Sequence, residues 1–172
     1  MIERPTNLNS EYYFTAYVNK AKGEDLIPAL RKSGNDLLEL IKPLSEEQSN
    51  FKYAEGKWTI KQVIRHITDT ERVFAYRALC MSRKDTTPLP GFNQDAFADH
   101  DNCQNISLAA LKDEFVHVRN ATIALFKTMA QEALDYEGMA SNLPMTARIL
   151  GWTNVGHLTH HLGVIEEMYL AV

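Results

Sequence analysis

The stretch Asn154-Val155-Gly156-His157-Leu158-Thr159-His160-His161-Leu162-Gly163-Val164-Ile165 holds three of the six histidines of the chain within five residues. On a helix, at about 100° per residue, one face of this stretch is formed by His157, His161, Val164 and Met168, with Leu158 and Ile165 at its edge. The two imidazoles therefore lie in the middle of the apolar stripe that should face the core. Residues four apart are neighbours on a helix, so His157 and His161 can converge on one point. This pairing predicts a divalent metal ion at that point.

A second interpretation is that both rings are ordinary core histidines. A single histidine on an apolar face is usually satisfied by a hydrogen bond, and each buried nitrogen needs a partner. Two imidazoles alone seldom hold a metal ion, so the metal interpretation requires a third ligand from elsewhere in the chain. His160 lies at the edge of the stripe, about 100° from His161. The pair His157–His161 lies closer to the middle of the apolar stripe than the pair His157–His160. We therefore expect His160 either to lie at the surface or to contact the metal ligands without binding the metal itself.

Size and composition indicate one soluble globular domain spanning residues 1–172. Apolar residues make up 45% and charged residues 23%, and the net charge is −4 with both signs interspersed. The sequence has no stripe of basic residues, so we do not expect it to bind nucleic acid. No apolar run is long enough to form a membrane helix. The N-terminus has no segment like a secretion signal. Cys80 and Cys103 offer neither a disulfide framework nor a CxxC pair, so we expect a cytoplasmic protein.

Three helices are predicted before the histidine-rich one. The first begins near Asp25 and ends at Pro43, with Gly34 in its middle as a possible point of close approach. Helix two begins at a capping box from Thr59 to Gln62. Its buried face is formed by Ile60, Val63, Ile67, Thr70, Phe74, Ala78 and Met81. Ahead of helix one, an aromatic cluster around Tyr17 is predicted to form a lid on the bundle.

His66 is the predicted third ligand. It lies at the margin of the buried face of helix two, about two turns from the helix start, a depth comparable to that of His157 and His161 in their own helix. If helices two and four run side by side in the same direction, all three rings reach one level. Asp69 could orient a ligand ring, or it could simply pair with Arg65 or Arg72 at the surface.

The connection of residues 84–106 is too long for a hairpin between neighbouring helices. It suits a crossover that lets helices two and three run parallel. Helix three should begin at Ser107, with a heptad-like seam of Leu108, Leu111, Phe115, Val118, Thr122, Leu125 and Met129. A loop over 135–144 and a brief extended or 3₁₀ piece follow, and helix four begins at Thr153 or Asn154. His100 and His117 are predicted to lie at the surface. The predicted fold is an all-α four-helix bundle.

Three neutral imidazoles leave metal positions open for water and substrate, which is typical of a catalytic site. Such a ligand set suits zinc, nickel, copper or iron. The group that attacks the substrate would be a water or thiol on the metal, and Asp69, Tyr17 and Arg77 are weaker candidates for a catalytic role. The sequence has no Gly-rich phosphate loop, no GxSxG elbow and no HExxH, so nucleotide-binding, serine-hydrolase and zincin chemistry are disfavoured.

Three segments resemble the DinB-like superfamily. Residues 57–77, KWTIKQVIRHITDTERVFAYR, resemble its second-helix signature, and Leu89-Pro90-Gly91-Phe92-Asn93 resembles the loop of one branch. Gly156-His157-Leu158-Thr159-His160-His161 resembles its GHxxHH motif. The resemblance spans essentially the whole chain. It implies a four-helix bundle of up-down-down-up connectivity with a long crossover between helices two and three, and a homodimer. It also implies zinc or nickel held by His66, His157 and His161.

The resemblance also implies an activity. Characterised members include metal-dependent thiol transferases, thiol-dependent isomerases and hydrolases, so a low-molecular-weight thiol is an expected co-substrate. The leading hypothesis is an enzyme whose metal activates a thiol or water for attack on a small electrophile. The alternative is a non-catalytic metal-binding or small-ligand-binding protein connected with stress. A third hypothesis is a plain structural bundle whose histidines bond only to each other and to the backbone.

Overall fold

The computed structural model of the chain describes residues 1–171, which are mostly helical. The α-helices are α1 (Tyr13–Lys20), α2 (Leu26–Ile41), α3 (Glu46–Ser49), α4 (Ile60–Ser82), α5 (Gln94–His100), α6 (Leu108–Lys127) and α7 (Ala147–Val164). Two short antiparallel strands, β1 (Glu137–Ala140) and β2 (Leu143–Thr146), form a hairpin. Short 3₁₀ turns occupy Cys103–Asn105 and Gln131–Asp135, and a π-helical segment, Ile165–Leu170, continues α7. Within residues 1–171, no helix has the length and apolar character needed to cross a membrane.

Helices α2, α4, α6 and α7 form the predicted four-helix bundle, in which α2 and α4 each pack against both α6 and α7. Helix directions follow from contacts at the helix ends. A Cβ atom on Gly151, near the start of α7, would lie within 3 Å of both Leu26 and Phe126, so the start of α7 lies beside the start of α2 and the end of α6. The Tyr169 hydroxyl donates to the Trp58 carbonyl at 2.7 Å, so the C-terminal end of the chain lies beside the start of α4. Helices α4 and α7 are therefore antiparallel.

Helices two and four do not run in the same direction, which was the condition for placing His66 beside the other two rings, yet the three histidines still meet. Helix α7 begins at Ala147, before the predicted Thr153, so His157 and His161 lie in its second half. Since that half lies beside the start of α4, it reaches the level of His66. The predicted start was late because Gly151 resembles a helix end. Gly151 is instead buried within the helix, where Leu26 and Phe126 leave no room for a side chain.

The core consists of two apolar clusters separated by a polar layer. In that layer the buried Arg119 guanidinium donates from Nε to Glu71 Oε1 at 2.8 Å and from Nη2 to Glu71 Oε2 at 2.8 Å. Its Nη1 donates to the Leu30 carbonyl and to Ser33 Oγ. Gly34 makes the predicted close approach, because a Cβ there would lie 3.3 Å from Arg119 Nη1. This layer fastens α2, α4 and α6 together.

The capping box predicted at the start of helix two is confirmed. The Gln62 backbone N–H donates to Thr59 Oγ1 at 3.1 Å, and the Thr59 N–H donates to Gln62 Oε1 at 2.9 Å. Asp25, by contrast, precedes α2 without capping it, because its Oδ1 accepts the backbone N–H of Ile2 at 2.9 Å instead.

Replacing Thr59 with Ala should lower the free energy of unfolding by about 1 kcal/mol, since the Gln62 backbone N–H at the start of α4 loses its acceptor. Denaturant titration measures this change. Thr59→Ser keeps the cap and is the matched control. A Ser variant as unstable as the Ala variant would contradict a stabilising role for the capping hydroxyl.

The long crossover contains α5 and runs back along α4. Pro90 lies beside Arg77, in the C-terminal half of α4, whereas α5 lies beside its start, where Gln62 Nε2 donates to the Ala98 carbonyl at 3.3 Å. Leu89 accepts the Ser141 backbone N–H at 3.0 Å and donates to the Met139 carbonyl at 2.9 Å. The segment after Leu89 is thereby attached to the β-hairpin. The hairpin was not predicted, because Gly138 and Pro144 are typical of a loop and its strands are only four residues long.

Candidate metal centre

The rings of His66, His157 and His161 meet between α4 and α7. His66 Nε2 lies 3.0 Å from His157 Nε2, and His161 Nε2 lies 3.1 Å from the same atom. One ring nitrogen from each of the three residues lies within 4.8 Å of the other two. The structure therefore brings together the three residues that the sequence and the resemblance single out.

Burial keeps these rings neutral. His66 is 8% exposed and His157 is 4% exposed, and His161 is half-buried. Desolvation lowers the pKa of His66 to about 4 and that of His161 to about 3, and it places the pKa of His157 well below its ordinary value. Neutral imidazole is the form that binds a metal ion.

The neighbouring side chains hold the rings in place. Thr70 Oγ1 lies 3.4 Å from His66 Nδ1, one turn along α4, and orients that ring. Trp58 packs on His66 with ring centroids 5.0 Å apart, and Tyr17 packs edge-on against His157 at 5.2 Å. Tyr17 reaches this position because a Cβ on Gly156 would lie 1.7 Å from the Tyr17 carbonyl oxygen, so only glycine admits α1 there. The aromatic lid expected from the sequence thus forms one wall of the site.

The donor set fits a divalent transition metal. Zinc–nitrogen bonds of about 2.0–2.1 Å place two ligand nitrogens roughly 3 Å apart, close to the two observed separations. All three Nε2 atoms face one another, and no other side chain of the described chain joins them as a possible ligand. His161 Nδ1 is buried without a hydrogen-bond partner among residues 1–171, so the ring is held by packing and by the contact of its Nε2 with His157 Nε2.

Two cavities open at this cluster from different sides. One of about 340 Å³ is lined by His66 and His157, with Tyr17, Phe74 and Arg77 among its walls. Another of about 330 Å³ is lined by His161 and His160, with Trp58 and Tyr169. Two larger clefts, of about 560 and 430 Å³, are lined by none of the three clustered histidines. A narrow pocket of about 10 Å³ also touches His66, but it is too small for a substrate. We place the functional site at the first two cavities because they reach the clustered imidazoles and have room for a small molecule.

The weaker catalytic candidates separate into two groups. Tyr17 and Arg77 line the 340 Å³ cavity, whereas Asp69 lies outside it. Asp69 Oδ1 accepts from Arg72 Nη1 at 2.9 Å, which is the surface pairing considered as its alternative role. Burial raises the pKa of Asp69 although Arg65 and Arg72 oppose that shift. Asp69 makes no hydrogen bond to a ligand ring.

The remaining histidines lie outside the cluster. His160 Nδ1 lies 3.3 Å from Lys20 Nζ, and the ring lines the second cavity. His100 and His117 are exposed, as predicted, and each lies against a carbonyl of its own helix. Sequence reasoning missed Tyr13 and Ser141, which line the first cavity. No local motif marks them, because α1 and the β-hairpin bring them there only through tertiary packing.

The metal-free protein should lose stability as the pH falls from about 6.5 towards 4. The unfolded chain protonates its histidines near pH 6.5, whereas His66 and His161 stay neutral in the folded state down to about 4 and 3. The unfolded state thus binds more protons over this range, and the free energy of unfolding falls by up to about 1.4 kcal/mol per pH unit for each such histidine. Denaturant titrations across this range measure the slope. The variant His161→Gln should show a smaller slope than the wild type, and the variant His117→Gln should show the same slope as the wild type. An equal slope in the wild type and both variants would contradict the conclusion that His161 is neutral in the folded state.

Known proteins resemble this chain in sequence and in fold. A family model described as the DinB superfamily matches residues 29–165. A protein of Oceanobacillus iheyensis, named as a candidate metal-dependent hydrolase, is 26% identical over 133 residues, which cover 73% of this chain and 75% of that protein. A protein of Geobacillus thermodenitrificans with the same descriptive name is 25% identical over 149 residues, covering 84% and 83%.

A solved structure shows the same architecture. YfiT from Bacillus subtilis, described as a probable metal-dependent hydrolase with an unusual four-helix bundle topology, matches with a TM-score of 0.76 at 15% identity. The match covers 98% of this chain and 92% of YfiT. The fold is therefore shared, and the family model extends over all three clustered histidines. The resemblance found in the motifs is confirmed: the chain belongs to the DinB superfamily.

Proposed function

We propose that the protein is a divalent-metal-dependent enzyme whose metal is held by His66, His157 and His161. The observation that carries this proposal is the convergence of three neutral Nε2 atoms at the meeting point of two cavities. A structural metal is usually enclosed by four protein ligands, whereas three ligands leave a position for a reactant. Zinc and nickel are the metals we propose: an all-imidazole ligand set suits zinc, nickel, copper and iron, and the resemblance to the DinB-like superfamily favours the first two.

The chemistry divides between the metal and the side chains around it. A divalent metal bound there would lower the pKa of water or of a thiol and so supply a nucleophile near neutral pH. Phe74 and Tyr17 line one cavity and Trp58 lines the other, so each cavity has apolar surface beside the proposed metal ligands. Burial raises the pKa of Tyr17, so its hydroxyl stays protonated and can donate a hydrogen bond to a substrate oxygen.

Two cavities at one metal suit a reaction with two organic reactants. Hydrolysis needs room for one organic substrate and water, whereas thiol transfer needs room for a thiol and an electrophile. The volumes of about 340 and 330 Å³ each suit a small molecule. The names of the relatives support a hydrolase, and the paired cavities support a thiol transferase. We therefore propose attack by a metal-activated thiol or water on a small electrophile.

The test is a turnover screen with zinc-loaded and nickel-loaded protein. One set of assays supplies esters, amides and phosphoesters in water, and the other supplies low-molecular-weight thiols with aryl halide or epoxide electrophiles. Free metal at equal concentration and the His157→Ala variant are the references. We expect turnover above both references in one set. Turnover no higher than free metal in every assay would overturn the enzymatic proposal and favour a metal-binding protein without catalysis.

A further inference from the structure

Arg77 is a buried cation without an acidic partner. It is 2% exposed, and no carboxylate forms an ion pair with it within residues 1–171. Its Nη2 donates to the Pro90 carbonyl at 2.6 Å and to Ser141 Oγ at 3.0 Å. Both acceptors are neutral, and the Tyr13 hydroxyl beside the guanidinium is neutral as well, because burial raises its pKa.

Other buried cations of this chain are neutralised. Arg119 is paired with Glu71 through both carboxylate oxygens, and Lys61 Nζ lies 2.7 Å from Glu46 Oε2. Burying a charge is costly unless an opposite charge or a full set of hydrogen bonds compensates it. Desolvation correspondingly lowers the pKa of Arg77. Arg119 and Lys61 each have a carboxylate partner within the protein, whereas Arg77 has none within residues 1–171. A negatively charged ligand could therefore supply the counter-charge of Arg77.

The position of Arg77 indicates where that counter-charge belongs. Arg77 lines the same 340 Å³ cavity as His66 and His157. His66, Thr70, Phe74 and Arg77 form one wall of this cavity along α4. Eleven residues at about 1.5 Å each separate His66 from Arg77, or roughly 16 Å between their backbone positions. A molecule in this cavity therefore has one end at the histidine cluster and the other at the guanidinium.

We propose that Arg77, together with Tyr13, binds a carboxylate of the substrate at the end of the cavity remote from the three histidines. Both N–H groups of Arg77 Nη2 are taken by Pro90 and Ser141, which leaves the Nε and Nη1 donors to form a charge-assisted hydrogen bond with a carboxylate oxygen. The Tyr13 hydroxyl provides a further donor at the same end. The aromatic walls between, from Tyr17, Phe74 and Phe92, suit an apolar middle section. The substrate is thus an organic acid that carries its reacting atom at the opposite end from the carboxylate. The placement of the reacting atom at the histidine cluster rests on the proposed function, whereas the placement of the carboxylate at Arg77 does not.

The experiment compares 3-phenylpropionate with its uncharged amide, 3-phenylpropionamide, by isothermal titration calorimetry. We expect the zinc-loaded protein to bind the acid at least about tenfold more tightly than the amide, as a charge-assisted pair provides. Arg77→Gln should abolish this preference while the zinc content stays unchanged. The matched control is Arg72→Gln, which removes an exposed arginine from the same helix and should leave the preference intact.

Repeating the titration on metal-free protein separates this inference from the proposed function. A preference that persists without metal and disappears in Arg77→Gln supports the Arg77 site even if no turnover is ever found. A preference that vanishes with the metal means that the acid binds the metal directly, and it overturns the inference. Equal binding of acid and amide by the wild type overturns it too.

A second variant keeps the test decisive if Arg77→Gln does not fold. Tyr13→Phe removes one hydroxyl from the same end of the cavity; the hydroxyl is desolvated, but the residue as a whole is 42% exposed and can tolerate the change. We expect it to weaken binding of the acid by up to about tenfold and to leave binding of the amide unchanged. Unaltered binding of the acid in Tyr13→Phe, or an equal loss for both probes, would count against the carboxylate site.

Discussion

The variant His157→Ala should lose metal binding and, with it, nearly all metal-dependent turnover. His157 Nε2 is the atom that both neighbouring Nε2 atoms approach, at 3.0 and 3.1 Å, so its removal leaves two imidazoles with no central partner. Loss of a side chain that only orients a ligand costs about 10–100-fold in metal affinity. Loss of a ligand itself should therefore exceed about 100-fold. Competition titration with a chromogenic chelator measures the affinity.

The control for this variant is His117→Ala. His117 is exposed, and its Nδ1 lies 2.6 Å from the Asp113 carbonyl on the outer face of α6. Its replacement should leave metal affinity unchanged. Full occupancy in His157→Ala, or an equal loss in both variants, would contradict the assignment of His157 as a ligand. The circular dichroism spectrum of His157→Ala should remain helical, which shows that the loss is local.

The second large effect is expected at the buried ion pair of Glu71 and Arg119. Replacing Arg119 with Met should lower the free energy of unfolding by about 3–5 kcal/mol, because the Glu71 carboxylate, 1% exposed, is left without its counter-charge. The Leu30 carbonyl and Ser33 Oγ lose a donor as well. Denaturant titration at neutral pH measures this loss.

Two further variants separate the buried charge from ordinary packing. Glu71→Leu combined with Arg119→Met removes both charges and should be more stable than Arg119→Met alone. Arg72→Met removes a half-exposed arginine that pairs with Asp69 and Glu114, and it should cost less than about 1 kcal/mol. A double variant as unstable as the single one would show that the charge of Glu71 is not the cause.

The bundle and its histidines could be predicted from local sequence patterns. Helix two was found from the Thr59–Gln62 capping box, and the seven residues predicted for its buried face are all buried. His66 was chosen because a third ligand was needed and because its depth suited parallel helices; the helices are antiparallel, and His66 meets the other two rings because the second half of α7 lies beside the start of α4. These inferences depend on helical periodicity and end signals, which are encoded within a few residues.

Helix three shows where periodicity alone was insufficient. The predicted seam follows a strict heptad, so it places Val118 and Leu125 in the core, yet both are only half-buried. The buried positions are Arg119 and Phe126, one residue further on, because a nearly straight helix has about 3.6 residues per turn and drifts from a repeat of 3.5. Arg119 was missed because an arginine is normally exposed, and its partner Glu71 is 48 residues away.

The cavity end around Arg77 could not be predicted either. Its walls come from α1, α4, the crossover and the β-hairpin, which are brought together by tertiary contacts alone. The bond from Arg77 to the Pro90 carbonyl and the backbone bonds between Leu89 and the hairpin set this arrangement. No spacing rule within the sequence links Tyr13 to Ser141.

The most direct test of the central claim is a crystal structure of the metal-loaded protein, with anomalous diffraction recorded at the absorption edge of the bound metal. We expect one strong anomalous peak per chain, within bonding distance of the Nε2 atoms of His66, His157 and His161. A peak at any other group of residues, or no peak at these three atoms in protein that contains metal, would contradict the assignment.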